Sequence, residues 1–192
     1  MAISMSRDTP SGGGTPLQAG ENTGLGNLIT DIVVGFGWDI IVSNSPDVEL
    51  VPSVVLIGSD GRAVDPDAMV FFNQLATPDG SVQYVTNGDQ EQVEVSLSII
   101  PENVERLLFV VYVDPDVRRP GTFSSVRSCY IRIADQRDDE IARFTMTSPV
   151  RDASALIFGE LYRYKGKWKF RALGDGYAAG MSAVATDFGL VL

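Results

Sequence analysis

The chain has 192 residues, 44% of them hydrophobic, a length that fits one domain or one domain with a tail and is enough to bury a sizeable core. Its 15 basic residues against 25 acidic ones give a net charge of −10, which argues against DNA, RNA or an anionic membrane as the main partner, because phosphates need a basic surface. It has no histidine and one cysteine, Cys129, so His-based nucleophile systems, His-ligated zinc, internal disulfides and cysteine clusters are all ruled out.

Residues 1–16 are rich in Ser, Gly, Thr and Pro, including Gly12-Gly13-Gly14. That composition cannot bury enough apolar surface to offset its ordering, so it reads as a flexible tail ahead of a single domain at 17–192. No apolar run follows Arg7 and Asp8, so no secretory signal is read. The longest strongly apolar run, Leu107 to Val113, is far short of a membrane span. The cytoplasm is the expected compartment, without direct membrane insertion.

Within the domain the pattern is that of strands. "VVLIGS" closes on Asp60-Gly61, and Pro78 leads into Asp79-Gly80, both turn signals. "SVQYVTNGDQEQVEVSL" (81–97) sets a short acidic turn between two alternating segments. From Gln92 to Ile99, Val93, Val95, Leu97 and Ile99 share one face, expected to be buried, while Gln92, Glu94, Ser96 and Ser98 share the other, polar face. Pro101 to Arg106 fits one short turn. Leu107 to Val113 is apolar throughout, as a strand covered on both faces requires. "YIRIAD" and "EIARFTM" flank a polar turn, Gln136 to Asp139, and Cys129 lies in the alternating "VRSCYIRI" as a buried, inert thiol. Lys165-Gly166 between "LYRY" and "KWKF" is a hairpin signal. Met181 to Phe188 reads as a helix. Many short strands separated by turns indicate an all-β domain, a sandwich or a barrel.

Three C-terminal stretches carry a family resemblance: "EIARFTM" at 140–146, "ALIFGELYRYKGKWKFRALGDGYAAGM" at 155–181 and "DFGLVL" at 187–192. With "GFGWD" at 35–39 and "VFFNQLATPDGSV" at 70–82, they resemble the TerD family of bacterial tellurite-resistance and general stress proteins, from about Leu17 to Leu192. The resemblance implies a two-sheet antiparallel β-sandwich with one or two short helices. It also implies calcium held by acidic loops at one end and work within a membrane-associated or multi-protein assembly, with other stress-response proteins as partners. It implies no enzymatic activity. The positions that match the calcium loops are Asp39, Glu49, Asn73, Asp89 and Glu91. The family pattern Asp-Leu-Asp-Ala-Ser is Glu49-Leu50-Val51-Pro52-Ser53 here, and a longer Gly- and Asp-rich loop is reduced to Gly88-Asp89-Gln90-Glu91. Calcium needs about six to eight oxygen ligands, several of them charged, so these departures lead us to expect calcium binding weakened or lost. The plainer alternative is that each of these residues is a solvated turn or loop group. A calcium-responsive module with a remodelled site is the next reading.

Other constellations have structural readings. "LGDGYAAG" (173–180) lacks the Gly-Lys-Ser/Thr ending of a phosphate loop and reads as tight turns. Asp114, Asp116, Arg118 and Arg119 make a charged loop. Asp135, Asp138, Asp139 and Glu140 would suit an Asp-dependent hydrolase only if two carboxyl groups faced each other across a cleft. Tyr162, Tyr164, Trp168 and Tyr177 crowd the last hairpin, as packing or, for Tyr162 and Tyr164, as anchors for a partner.

Overall fold

The computed structural model describes residues 13–41, 49–85, 88–115, 121–147, 149 and 151–192. In chain order the strands are β1 Thr15–Leu17, β2 Asn22–Gly24, β3 Asp31–Ile40, β4 Leu50–Ile57, β5 Met69–Val70, β6 Val82–Val85, β7 Glu91–Ser96, β8 Arg106–Val113, β9 Val126–Asp135, β10 Glu140–Met146, β11 Ala155–Tyr164 and β12 Lys167–Tyr177. A helix, α1 Met181–Phe188, follows, and a short 3-10 turn spans Phe123–Ser125. The strands form two six-stranded sheets, β1-β10-β9-β3-β7-β6 (sheet A) and β2-β12-β11-β8-β4-β5 (sheet B). All the pairs are antiparallel except β1 with β10. The two-sheet sandwich is thus the architecture found.

Alternation along each strand builds the core. Val34 and Phe36 of β3, Val93 and Val95 of β7, and Ile131 and Ile133 of β9 meet Leu107, Phe109 and Val111 of β8 and Leu156 and Phe158 of β11 between the sheets. Phe36 packs edge-on against Phe158 at 6.5 Å and lies tilted against Phe109 at 6.3 Å between ring centres. The continuous apolar run of β8 has the expected cause. Its odd positions fill this core, while Leu108 and Val110 join Val55, Ile57, Ala155 and Ile157 in a second cluster beneath α1. That helix contributes Met181 and Val184 and ends on Gly189 in the left-handed conformation, with the cap N–H bonded to Ala185. Pro52 is tolerated within β4 because β5 is two residues long and pairs with Val54 and Val55, leaving the strand an edge at Pro52. The β11–β12 turn has both central residues at positive φ, Lys165 at 51° and Gly166 at 73°, the geometry that matches the strand twist in a two-residue hairpin.

Several expectations are corrected. The tail assigned to residues 1–16 falls outside the described residues up to residue 12, but Thr15 and Pro16 belong to β1 and pair with Ala142 and Arg143. Ile99 is 53% exposed rather than buried, because β7 ends at Ser96 and the chain turns there, with Ile99 N–H bonded to Ser96 C=O. Gln92, placed on the polar face, is buried. Leu173 to Tyr177, expected as tight turns, continue β12, and the turn follows at residues 178–180. Among the described residues no helix is long and apolar enough to cross a membrane.

Candidate functional site

The C-terminal end of β3 pairs with the start of β7, which places Asp39, Asp89 and Glu91 at one end of sheet A. "GFGWD" runs through it. Val34 and Phe36 point into the core, so Gly35 and Gly37 fall on the outer face of sheet A, opposite Arg132 and Tyr130 of β9. Both glycines leave room that large side chains fill. A Cβ at Gly35 would lie inside the Asp89 carboxylate, and one at Gly37 would strike the Tyr130 ring.

Asp89 is therefore folded inward over β3. Its side chain is 7% exposed. Its carboxylate accepts from the Tyr130 hydroxyl at 2.7 Å and from Arg132 Nε at 2.8 and 3.1 Å, and Arg132 Nη2 lies 2.8 Å from Oδ2. Arg132 Nη2 also donates to Asp138 at 2.7 Å. Next to this group Arg143 stacks over Tyr130 at 4.3 Å and holds Glu140 through Nε and Nη2. The contacts run in the order Glu140–Arg143–Tyr130–Asp89–Arg132–Asp138, two acid–arginine groups joined through the neutral Tyr130 hydroxyl. Burial alone would lower the affinity of Arg132 for its proton, but its bonds to Asp89 and Asp138 outweigh this and raise it. Burial, then the bond to Asp89, pushes the Tyr130 hydroxyl up to about 12.

The other candidates are separately engaged. Asp39 is exposed and meets Arg127 at 3.0 Å, a surface pair of small energetic weight. Glu91 accepts from the Tyr84 hydroxyl at 2.6 Å. Burial first, then Glu91 and more weakly the charge of Glu49, raise the Tyr84 pKa. Glu49 is exposed just before β4, and its carbonyl accepts from Asp114 N–H at 2.9 Å. Asn73 is exposed in the reversal between Phe71 and Gln74. Among the described residues no group of three or more acids is placed to hold a metal ion. Arg132 lies against both carboxylate oxygens of Asp89. Asn87, Asp116, Arg118 and Arg119 lie outside the described residues.

Three of the acids at 135–140 are likewise bonded to groups of the chain itself. Asp135 accepts from the backbone N–H groups of Arg137 and Asp139, while Asp138 and Glu140 bind arginines. Tyr162 is half-buried under Arg171 at 4.6 Å, and Tyr164 is 51% exposed, with Lys165 and Lys169 each 5.3 Å from its ring. Trp168 packs at the rim of the core beneath Arg163.

An alkaline transition follows. Tyr112, Tyr130 and the Cys129 thiol are each raised to about 12, burial being the first cause for all three. A group that holds its proton more tightly when folded stabilises the fold below its unfolded pKa and loses that contribution as pH rises through the folded one. Melting temperature is expected to hold up to the ordinary thiol pKa of about 9, to fall from there to about 12 and most steeply above the ordinary tyrosine value of about 10, with Tyr130→Phe flattening the slope in a pH series of thermal melts.

The sequence matches the TerD domain family over residues 14–188. It is 33% identical over 185 residues to tellurium resistance protein TerD of Serratia marcescens, covering 91% of this chain and 96% of that protein. It is 34% identical over 171 residues to general stress protein 16U of Bacillus subtilis (strain 168), covering 84% and 89%. The fold is shared with the crystal structure of a homologue of telluride resistance protein (TerD) from Streptomyces coelicolor A3(2), at TM-score 0.67 and 22% identity over 85% of this chain and 99% of that one. The match begins just before β1 and ends with α1, so it takes in both sheets and the Gly35–Asp89 contact, and on that extent the protein belongs to the TerD domain family.

Proposed function

We propose that this protein is a non-enzymatic interaction module of the bacterial stress response, related to tellurite resistance, in which calcium binding has been weakened or lost. The observation that carries this reading is the closure of Asp89 by Arg132 and Tyr130. A carboxylate held by a guanidinium contributes no charge to a cation site, and calcium affinity follows the number of charged ligands. The kinship with TerD and general stress proteins supplies the biological setting.

Thermal melts in millimolar calcium against chelator test it. Calcium at a hundredfold excess over its Kd would add about 2.7 kcal/mol, and for a chain of this size each kcal/mol raises Tm by roughly 2–4 °C. The expected result is no shift. A calcium-dependent rise of several degrees would turn the reading to a calcium-responsive module with a remodelled site.

A further inference from the structure

The chain's three lysines, Lys165, Lys167 and Lys169, all fall in one hairpin of a molecule with net charge −10. Helix α1 covers the outer face of sheet B over Ala155 and Ile157. Beyond it, β11 and β12 carry the cross-strand pairs Glu160 with Arg171, Tyr162 with Lys169, and Tyr164 with Lys167. Glu160, 3% exposed, lies beneath Arg106 at 3.2 Å and Arg171 at 3.4 Å. Among the described residues no carboxylate pairs with any of the lysines. The row ends at a cleft of about 320 Å³ between the hairpin and Gly24–Asn27, walled by Tyr164 and Trp168.

We propose that this face binds an extended acidic segment of a partner protein. Residues on one face of a strand repeat every about 6.6–6.8 Å, so Lys167, Lys169 and Arg171 repeat at the spacing of alternate side chains in an extended peptide. Carboxylates at every second position meet this row, and a further side chain on that same face of the peptide, beyond the end of the row, enters the cleft against Tyr164 and Trp168. Single-stranded nucleic acid needs open aromatic faces for base stacking, whereas Arg171 covers Tyr162 and Lys165 and Lys169 flank Tyr164. The overall negative charge also opposes a dense polyanion more than a segment with a few acids. The inference rests on the interaction-module reading and gives the partner its chemistry.

Fluorescence anisotropy of the full chain with a labelled peptide alternating Glu and Thr provides the test. The comparison probes are a Gln-Thr peptide, phosphatidylserine vesicles and single-stranded RNA. Saturable binding of the acidic peptide alone is expected, lost as ionic strength approaches about 1 M, where the screening length is about 3 Å. Lys167→Gln/Lys169→Gln should weaken it by roughly tenfold, while Lys167→Arg/Lys169→Arg retains it. No binding, equal affinity in the Gln variant, or preference for vesicles or RNA overturns the inference. Salt-sensitive self-association that outcompetes the peptide does so too. Absence of peptide binding with calcium-insensitive melts sinks this inference only, whereas a calcium-dependent melt sinks the reading on which it rests.

Discussion

Arg132→Met is expected to destabilise the protein by about 3–5 kcal/mol, the cost of leaving a buried charge without its partner. The substitution keeps an unbranched side chain that reaches as far as Nε but, among the described residues, leaves the Asp89 carboxylate with the Tyr130 hydroxyl as its remaining side-chain donor. Asp138 loses a partner as well, but it is exposed and regains water. Arg132→Lys should fall between the two, since one ammonium cannot reproduce the fork that spans Asp89 and Asp138. Removing both charges in Arg132→Met/Asp89→Leu should recover most of the loss, because no unpaired ion then remains. Urea unfolding of the three variants measures this. If Arg132→Met stays within about 0.5 kcal/mol of the parent, the range of an ordinary surface change, the closure of Asp89 is not what holds this loop.

Local pattern carried most of the fold. Period-two alternation in "VEV" (93–95), the positive-φ hairpin at Lys165-Gly166 and the helix at Met181–Phe188 depend on near neighbours, and the structure has them where the sequence places them. The family-specific stretches add the two-sheet arrangement. Misreadings fall where a distant element decides. Ile99 continues the alternation on paper but lies beyond the last pairing of β7 with β3, at Ser96. Thr15 and Pro16 have a tail's composition, yet the open edge of β10 takes them as a strand. Asp89 is the largest such case. In sequence it belongs to an acidic turn facing water, and its donors lie 41 and 43 residues away. A signal for the contact does exist in two segments read together. Gly-x-Gly in "GFGWD" leaves one face of β3 bare, and Tyr-x-Arg in "YIRI" puts two long polar side chains on the same face of β9. Each is unremarkable alone, and only the register between the strands joins them.

Gly35→Ala isolates that contact. The added methyl would occupy the position of the Asp89 carboxylate, and the carboxylate cannot simply swing out, because Tyr130 and Arg132 hold it from the β9 side. The expected loss is about 1–3 kcal/mol, the usual range for overpacking a filled site, with the Asp89 turn displaced. Gly35 lies in an extended strand and its φ is not in the left-handed region, so the methyl itself introduces no backbone strain, and an equal change without the clash would be mild. That separates the causes in a double-mutant cycle. In an Asp89→Ala background the space at Gly35 is vacant, and Gly35→Ala should cost several-fold less than in the parent, giving a coupling of roughly 0.5–3 kcal/mol, the range for residues in contact. Additive losses would mean that Gly35 is needed for some reason other than Asp89. The closed carboxylate would then be a consequence of the turn's own geometry rather than of the bare face of β3 at Gly35.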